Sequence, residues 1–145
     1  MKKAVRKQKK DADIVFWTYN WGSQPAEDRL RLIHSLPKDI SLLVTYEMFE
    51  NLPLYDATQC CTDYTLAFAG PGQYFISEAE AAKECGLRLY AMTNTGGLTW
   101  DFGTIPYQPA PHQWIKRCEG LREAYDKWGL CGIMASHHYG FYPSF

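Results

Sequence analysis

The feature that most constrains the fold is a series of four short apolar runs, each ending in polar or aromatic residues. They cover residues 13–20, 40–47, 87–94 and 130–138. Runs that are apolar on both faces are typical of parallel β-strands covered by helices. Helical patterns lie between the runs. This alternation predicts an α/β fold with a parallel sheet and right-handed crossovers.

Three helices are predicted between these strands. Ser23 is a candidate N-cap for the first helix, with Pro25 in its first turn. Residues 77–80, with the sequence SEAE, form a capping-box pattern for the second helix. The third is predicted to begin at Pro111 and to end at Gly129. Its predicted buried stripe consists of Ile115, Cys118, Leu121, Tyr125 and Trp128.

Two architectures fit this order of elements, a doubly wound sheet and part of a TIM (β/α)8 barrel. Long aromatic loops follow the second and third runs, at 48–76 and 95–110, and barrels place their sites in such loops. A complete barrel needs about 250 residues. We therefore expect about four parallel β-strands with intervening helices, in a single domain over residues 1–145 that is an excerpt truncated at both ends. Residues 62–69 alternate in polarity and are a candidate additional strand.

Composition excludes several classes of protein. The formal net charge is −1, which gives no electrostatic case for nucleic acid or an anionic membrane. The basic residues 1–10 lack the apolar stretch of a secretory signal. A disordered arm, a nucleic-acid patch and the exposed end of a helix all fit them, and we favour the helix. The five cysteines have no CxxC spacing, so we expect reduced thiols and a cytoplasmic protein.

The second apolar run offers a candidate catalytic carboxylate. One face, predicted to pack under helices, carries Ile40, Leu42, Val44 and Tyr46. The other, predicted to face a barrel interior, carries Ser41, Leu43, Thr45 and Glu47. Glu47 would then lie at the rim as an acid, a base or a hydrogen-bond acceptor. The alternative is a structural glutamate that pairs with an arginine or caps a loop. Asp101 and Glu50 are weaker candidates for a second carboxyl group.

The ends of the runs also carry aromatic, amide, hydroxyl and imidazole side chains. Together they predict a neutral hydrogen-bonding and stacking surface, which matches the hydroxyl edge and the apolar C–H face of a sugar. Each aromatic side chain alone is more often a packing residue than a ligand contact, and the prediction rests on their recurrence at several strand ends. The candidate substrate-binding residues are Trp17, Tyr19, Asn20, Trp21, Asn94, Trp100, Tyr107, His137, His138 and Tyr139.

Other chemistry has weaker support in the sequence. Adjacent residues on a strand point to opposite faces, so the pair His137–His138 is a poor chelate, and no metal site is predicted. Residues 70–72, Gly-Pro-Gly, lack the third glycine of a dinucleotide fingerprint and are interpreted as a turn. No cofactor is predicted.

The blocks FWTYNWG, DISLLVTYE, DYTLAFAGPG, LRLYAMTNTGG and GIMASHHYGFYPS resemble bacterial proteins related to glycoside hydrolase family 20. The resemblance implies a (β/α)8 barrel and the exo-acting hydrolysis of amino-sugar glycosides. In that family an adjacent Asp-Glu pair acts with the N-acetyl group of the substrate as the nucleophile. This sequence has no Asp-Glu dipeptide. The general acid would therefore lie upstream of Met1, or the chemistry differs.

Three functions are consistent with these patterns. The first is a portion of a glycoside hydrolase barrel that contributes a sugar-binding wall. The second is a non-catalytic fragment that binds carbohydrate or another partner. The third is a metal-dependent hydrolase that uses His137 or His138. The expected partner is a carbohydrate substrate, and open strand edges predict self-association.

Overall fold

The computed structural model describes residues 2–61, 65, 68–94 and 111–136. The secondary structure of this part begins with an exposed helix and then alternates between strands and helices. In chain order the elements are α1 (Lys2–Gln8), β1 (Val15–Trp17), a 3-10 helix (Tyr19–Trp21), α2 (Ala26–Ser35), β2 (Ser41–Thr45), β3 (Glu50–Leu54), β4 (Ala57–Cys61), α3 (Gln73–Cys85), β5 (Arg88–Asn94), α4 (Pro111–Trp128) and β6 (Leu130–Ser136).

Four of these strands form one parallel sheet in the order β1-β2-β5-β6. All four coincide with the apolar runs, so the predicted α/β class and its four parallel strands are confirmed. The spatial order follows the chain order, which means that each crossover moves in the same direction across the sheet. With right-handed crossovers, this arrangement places the connecting helices on one face. The described strands form an open sheet rather than a closed barrel.

The core lies between the sheet and the helices. Leu42, Val44 and Tyr46 of the β2 segment belong to one buried cluster with Phe75 of α3 and Trp128 of α4. The Phe75 ring packs edge-on against Tyr46 at 4.9 Å and against Trp128 at 5.9 Å between centroids. These contacts confirm the predicted helix-covered face of β2. Each such apolar side chain contributes about 1.5–3 kcal/mol by leaving water.

The capping-box prediction for the second helix is wrong. α3 begins at Gln73, and the Ser77 hydroxyl donates to the Tyr74 carbonyl inside the helix, at 3.0 Å. The first turn is capped from a distant strand, because the Gln73 backbone N–H donates to the carboxylate of Glu50. The stop at Gly86 is confirmed, since this residue has a left-handed conformation with φ 67°.

α4 has its predicted bounds, and Trp128 of its predicted stripe is buried with Leu121 packed against the core, but the rest of the buried stripe differs. Ile115 and Tyr125, expected inside, are 58% and 65% exposed. The buried residues are Arg117, Gly120, Ala124 and Trp128. This register is set by tertiary contacts, because a Cβ at Gly120 would lie only 2.7 Å from the Tyr46 hydroxyl.

The remaining elements differ from expectation in smaller ways. Ser23 does not cap α2, because Pro25 occupies the N-cap position and offers no capping side chain. The helix favoured for the basic N-terminal residues is confirmed as α1, which buries none of its residues. The hairpin β3–β4 was not predicted, and the candidate strand at 62–69 lies mostly outside the described residues. Among the described helices, none has both the length and the apolar character needed to cross a bilayer.

Candidate functional site

The four parallel strands bring their C-terminal ends to one edge of the sheet, as the sequence predicts. Enzymes with parallel sheets place their sites at this edge. Trp17 ends β1, Glu47 follows β2 by two residues, and Asn94 ends β5. The other predicted site residues of the later loops lie outside the described residues: Trp100, Asp101, Tyr107, His137, His138 and Tyr139.

Two of the predicted aromatic residues form a pair beside β2. The rings of Trp17 and Tyr19 lie 4.8 Å apart between centroids, at an interplanar angle of 33°. The indole N–H of Trp17 donates to the Thr45 hydroxyl at 3.3 Å. Register pairs Trp17 with Leu43, which places Trp17 and Thr45 on the face opposite the helices. Both rings are half-buried and Thr45 has no exposed surface, so the rings themselves are the accessible part of the pair and could pack against the apolar face of a sugar.

The next two predicted residues lie apart from this pair. Asn20 is exposed, and Trp21 is 39% exposed. Trp21 lines a separate surface groove together with side chains of α2. The structure therefore divides the predicted Tyr19-Asn20-Trp21 segment between two surfaces rather than one.

Glu47 is held against α4 on the helix-covered side of the edge. Its carboxylate lies 2.9 Å from Nε of Arg117 and accepts a hydrogen bond from the Thr93 hydroxyl. Both Glu47 and Arg117 have no exposed surface. The prediction that Glu47 faces the opposite, open side is wrong, because its salt bridge partner lies on the buried stripe of α4. The alternative interpretation, a glutamate paired with an arginine, describes its contacts.

Arg117 ties several backbone segments to this carboxylate. Its guanidinium donates to the carbonyl oxygens of Thr65 and Phe68, each at 3.0 Å. The Cys61 thiol donates to the Glu47 carbonyl at 3.1 Å. A single buried cation thus joins α4 to the end of β2 and to the segment after β4. Because such groups are costly to bury without partners, these contacts fix the conformation of this edge.

The hydroxyl of Tyr46 lies beside this cluster and is buried without a hydrogen-bond partner among the described residues. It approaches the backbone of Gly120 in α4. Burial raises the pKa of the Tyr46 phenol well above its usual range. This side chain therefore contributes packing and is neutral at physiological pH.

A second buried network supports the turn after β1. The Glu78 carboxylate accepts hydrogen bonds from the Thr18 hydroxyl at 2.5 Å and from Nη1 of Arg29 at 2.7 Å. The Tyr74 hydroxyl donates to the Thr18 carbonyl at 2.9 Å. Burial raises the pKa of the Glu78 carboxyl, against the opposing effect of Thr18 and Arg29, and raises the pKa of Tyr74 to about 12. The network anchors the residues that precede Tyr19 and Trp21.

Sequence reasoning missed both arginines of these networks. Arg117 and Arg29 each lie on a helix, where a lone charged residue usually indicates a solvated face. The only usable signal for Arg117 is its spacing from Gly120, Ala124 and Trp128, which defines one stripe. Glu50 was proposed as a second carboxyl group, and its carboxylate caps α3 instead.

Metal binding has no support within the described residues, where no three His, Cys, Asp or Glu side chains come together. The histidine pair at 137–138 lies outside them, so the metal-dependent hydrolase remains a prediction. Comparison of the chain with protein-family models, with curated proteins and with solved structures found no match.

Proposed function

We propose that this chain is part of a carbohydrate-active protein of the glycoside hydrolase type, and that its sheet is a four-stranded portion of a (β/α)8 barrel. The strand order supports a barrel, because doubly wound sheets reverse direction at a switch point and the four described strands show no such reversal. β1 and β6 are the edges at which further strands would pair. Self-association through these edges remains a prediction.

The observation that carries the sugar-binding proposal is the Trp17–Tyr19 pair beside Thr45. It lies at the C-terminal edge of the parallel strands, with Trp17 on the face opposite the helices and Tyr19 packed in part against the buried core. A pyranose ring would pack its C–H face on the indole or the phenol, while its hydroxyl groups bond to nearby polar atoms. Apolar walls with a few placed polar groups are typical of small-ligand sites.

Hydrolysis of a glycosidic bond normally requires two carboxyl groups that flank it. Glu47 is the candidate at this edge. Its complete burial against Arg117 is a specific observation in favour of the second candidate function, carbohydrate binding without turnover. The two functions differ in whether Glu47 reaches the substrate.

The test is the Glu47→Gln variant of the full-length protein, assayed for release of the aryl group from aryl glycosides. If Glu47 acts as an acid or base, kcat falls by about 10²–10⁴-fold. The Glu78→Gln variant is the matched control, since it also removes one charge from a buried Glu–Arg pair, and the proposed acid–base chemistry does not use Glu78. Its kcat should remain close to wild type.

A wild-type kcat for Glu47→Gln, in a protein that does release the aryl group, would remove Glu47 from catalysis. Saccharide binding by wild type without any release would support the second function. Saccharide binding reported by the backbone signals of β1 and β2 that survives Trp17→Ala unchanged would contradict the site at the Trp17–Tyr19 pair.

A further inference from the structure

A surface groove lies between the turn after β1 and the outer side of α2. It has a volume of about 420 Å³, within the range of roughly 300–1,000 Å³ typical of small-ligand sites. Its lining consists of Trp21, Gln24, Asp28, Arg31, Leu32 and Ser35. Trp17 and Tyr19 are not among these residues, so the groove is distinct from the site proposed above.

The aromatic wall of this groove is held by a rigid turn. The backbone N–H of Trp21 donates to the Thr18 carbonyl at 2.8 Å, and that of Gln24 donates to the Trp21 carbonyl at 2.9 Å. Thr18 is itself bonded through its hydroxyl to the buried carboxylate of Glu78. Trp21 nevertheless keeps 39% of its surface exposed. Because the backbone that carries it is held by these bonds and its side chain is partly open to solvent, Trp21 offers a stacking surface at a fixed position.

The polar wall of the groove is balanced in charge. Arg31 donates to the Asp28 carboxylate, so the pair offers both donors and acceptors with no net charge. Gln24 and Ser35 add an amide and a hydroxyl. No charge is left over to select an ionic ligand, and the hydrogen-bonding atoms suit hydroxyl groups. One apolar plate opposite such atoms matches the two sides of a pyranose.

We propose that this groove is a second saccharide-binding site, which holds one or two uncharged sugar units on Trp21 with hydroxyl contacts to Asp28, Arg31 and Gln24. The choice of ligand class rests on the proposed function, whereas the location of the site rests on the groove alone. Trp21 lies four residues after Trp17, where β1 ends, so a site there would retain a long glycan beside the C-terminal edge of the sheet.

The experiment is a titration of ¹⁵N-labelled protein with cellobiose and with N,N′-diacetylchitobiose, followed through the indole N–H signals. Trp21→Phe and Trp17→Phe assign the two signals. We expect the Trp21 signal to move with at least one of these disaccharides. Trp21→Ala should weaken the binding that is reported by backbone signals of α2 at least tenfold, which is about 1.4 kcal/mol. Asp28→Ala should weaken it less and provides a second variant in case Trp21→Ala is unstable.

Two controls separate this site from the proposed active site. Trp17→Ala should leave the Trp21 titration unchanged, and Glu47→Gln should do the same even if it abolishes turnover. A Trp21 signal that stays fixed with both disaccharides up to ~10 mM, above the millimolar Kd expected for a shallow site, would overturn the proposal. Loss of the Trp21 response in Trp17→Ala would also overturn it, because the groove would then only report binding elsewhere.

Discussion

Two buried Glu–Arg pairs among the described residues have the same chemistry but connect different elements of the fold. Glu47–Arg117 joins the end of β2 to α4, whereas Glu78–Arg29 joins α3 to α2. Both carboxylates are completely buried, so both have lost their hydration. A buried pair gains little net stability over apolar residues, but removal of one partner is costly. The pairs are therefore better explained by what they position than by the energy they add.

Each pair fixes a different part of the C-terminal edge. Arg117 binds two carbonyl oxygens of the segment after β4, and Glu47 binds Thr93 of β5. Glu78 binds Thr18, which precedes the aromatic turn after β1. Arg29 keeps 8% exposure and lies over the Tyr74 ring at 4.2 Å, while Arg117 has no exposed surface. We infer that loss of Arg117 would disturb the C-terminal edge more than loss of Arg29.

The largest effect is expected for Arg117→Met. It leaves the Glu47 carboxylate buried beside Thr93 without its cation, and should lower the free energy of unfolding by about 3–5 kcal/mol. The measurement is urea unfolding at pH 7. Arg122→Met is the matched control on an exposed position of the same helix and should change stability by less than about 0.5 kcal/mol.

The double variant Arg117→Met/Glu47→Gln tests whether the unpaired Glu47 charge causes the stability loss of Arg117→Met. It removes the unpaired charge, so it should be more stable than Arg117→Met alone. With wild type and the Glu47→Gln single variant, it completes the cycle that gives the coupling energy between the two residues. Equal stability of Arg117→Met and Arg122→Met would show that the pair does not hold the edge.

Arg29→Met should have a smaller effect, about 2–3 kcal/mol, because Arg29 is 8% exposed and water can partly replace it beside the carboxylate, whereas Arg117 has no exposed surface. This loss should depend on pH. Burial already raises the pKa of Glu78, and removal of Arg29, which acts to lower it, raises it further. Between the unfolded and folded pKa values only the folded state holds the proton. The free energy of unfolding of Arg29→Met therefore falls as pH rises above the ordinary carboxyl pKa of 4.5.

The measurement is urea unfolding of Arg29→Met at pH 5 and at pH 7, with the larger loss relative to wild type expected at pH 7. The groups that face Glu78 are Thr18, Arg29 and Tyr74, and Tyr74 stays protonated over this range. Arg31→Met, on the exposed side of α2, is the control without pH dependence. A loss that is equal at both pH values would contradict the assignment to Glu78.

These pairs also show why the sequence predicts the sheet better than the site. The four strands and the bounds of α4 are encoded locally, by apolar runs, Pro111 and Gly129. The buried stripe of α4 is not, because Arg117 becomes buried only when Glu47 and two distant carbonyl groups surround it. The start of α3 is likewise set by Glu50, which lies 23 residues from Gln73 in the chain.

The candidate site also has one part that the local sequence predicts and one part that depends on tertiary contacts. Trp17 and Tyr19 were predicted at the strand end, and their contact follows from the geometry of one turn. The orientation of Glu47 could not be predicted from the alternation in β2, because Glu47 lies beyond the last ladder residue, Thr45, where the two-residue period no longer applies. Strand periodicity therefore predicts positions within a ladder but not at its ends, where functional side chains lie.

The smallest effect is expected for Asp39→Asn, which tests an exposed ion pair against the buried ones. Lys2 and Arg6 of α1 donate to the Asp39 carboxylate and lower its pKa to about 2. The stability that this pair adds is present above the ordinary carboxyl pKa and is lost as pH falls towards 2. The substitution should cause only a small loss at pH 7, and mainly at low salt.

Salt separates the two kinds of pair. At ~1 M NaCl the Debye length falls to ~3 Å, so the stability difference between wild type and Asp39→Asn should disappear, while the loss caused by Arg117→Met should persist. Amide exchange gives the local readout: α1 buries none of its residues, so its amides should exchange faster in Asp39→Asn, and those of β2 should not. If the stability loss caused by Asp39→Asn persists at high salt, Asp39 holds α1 through more than its charge. The difference between exposed and buried ion pairs would then no longer explain which parts of this chain are held in place.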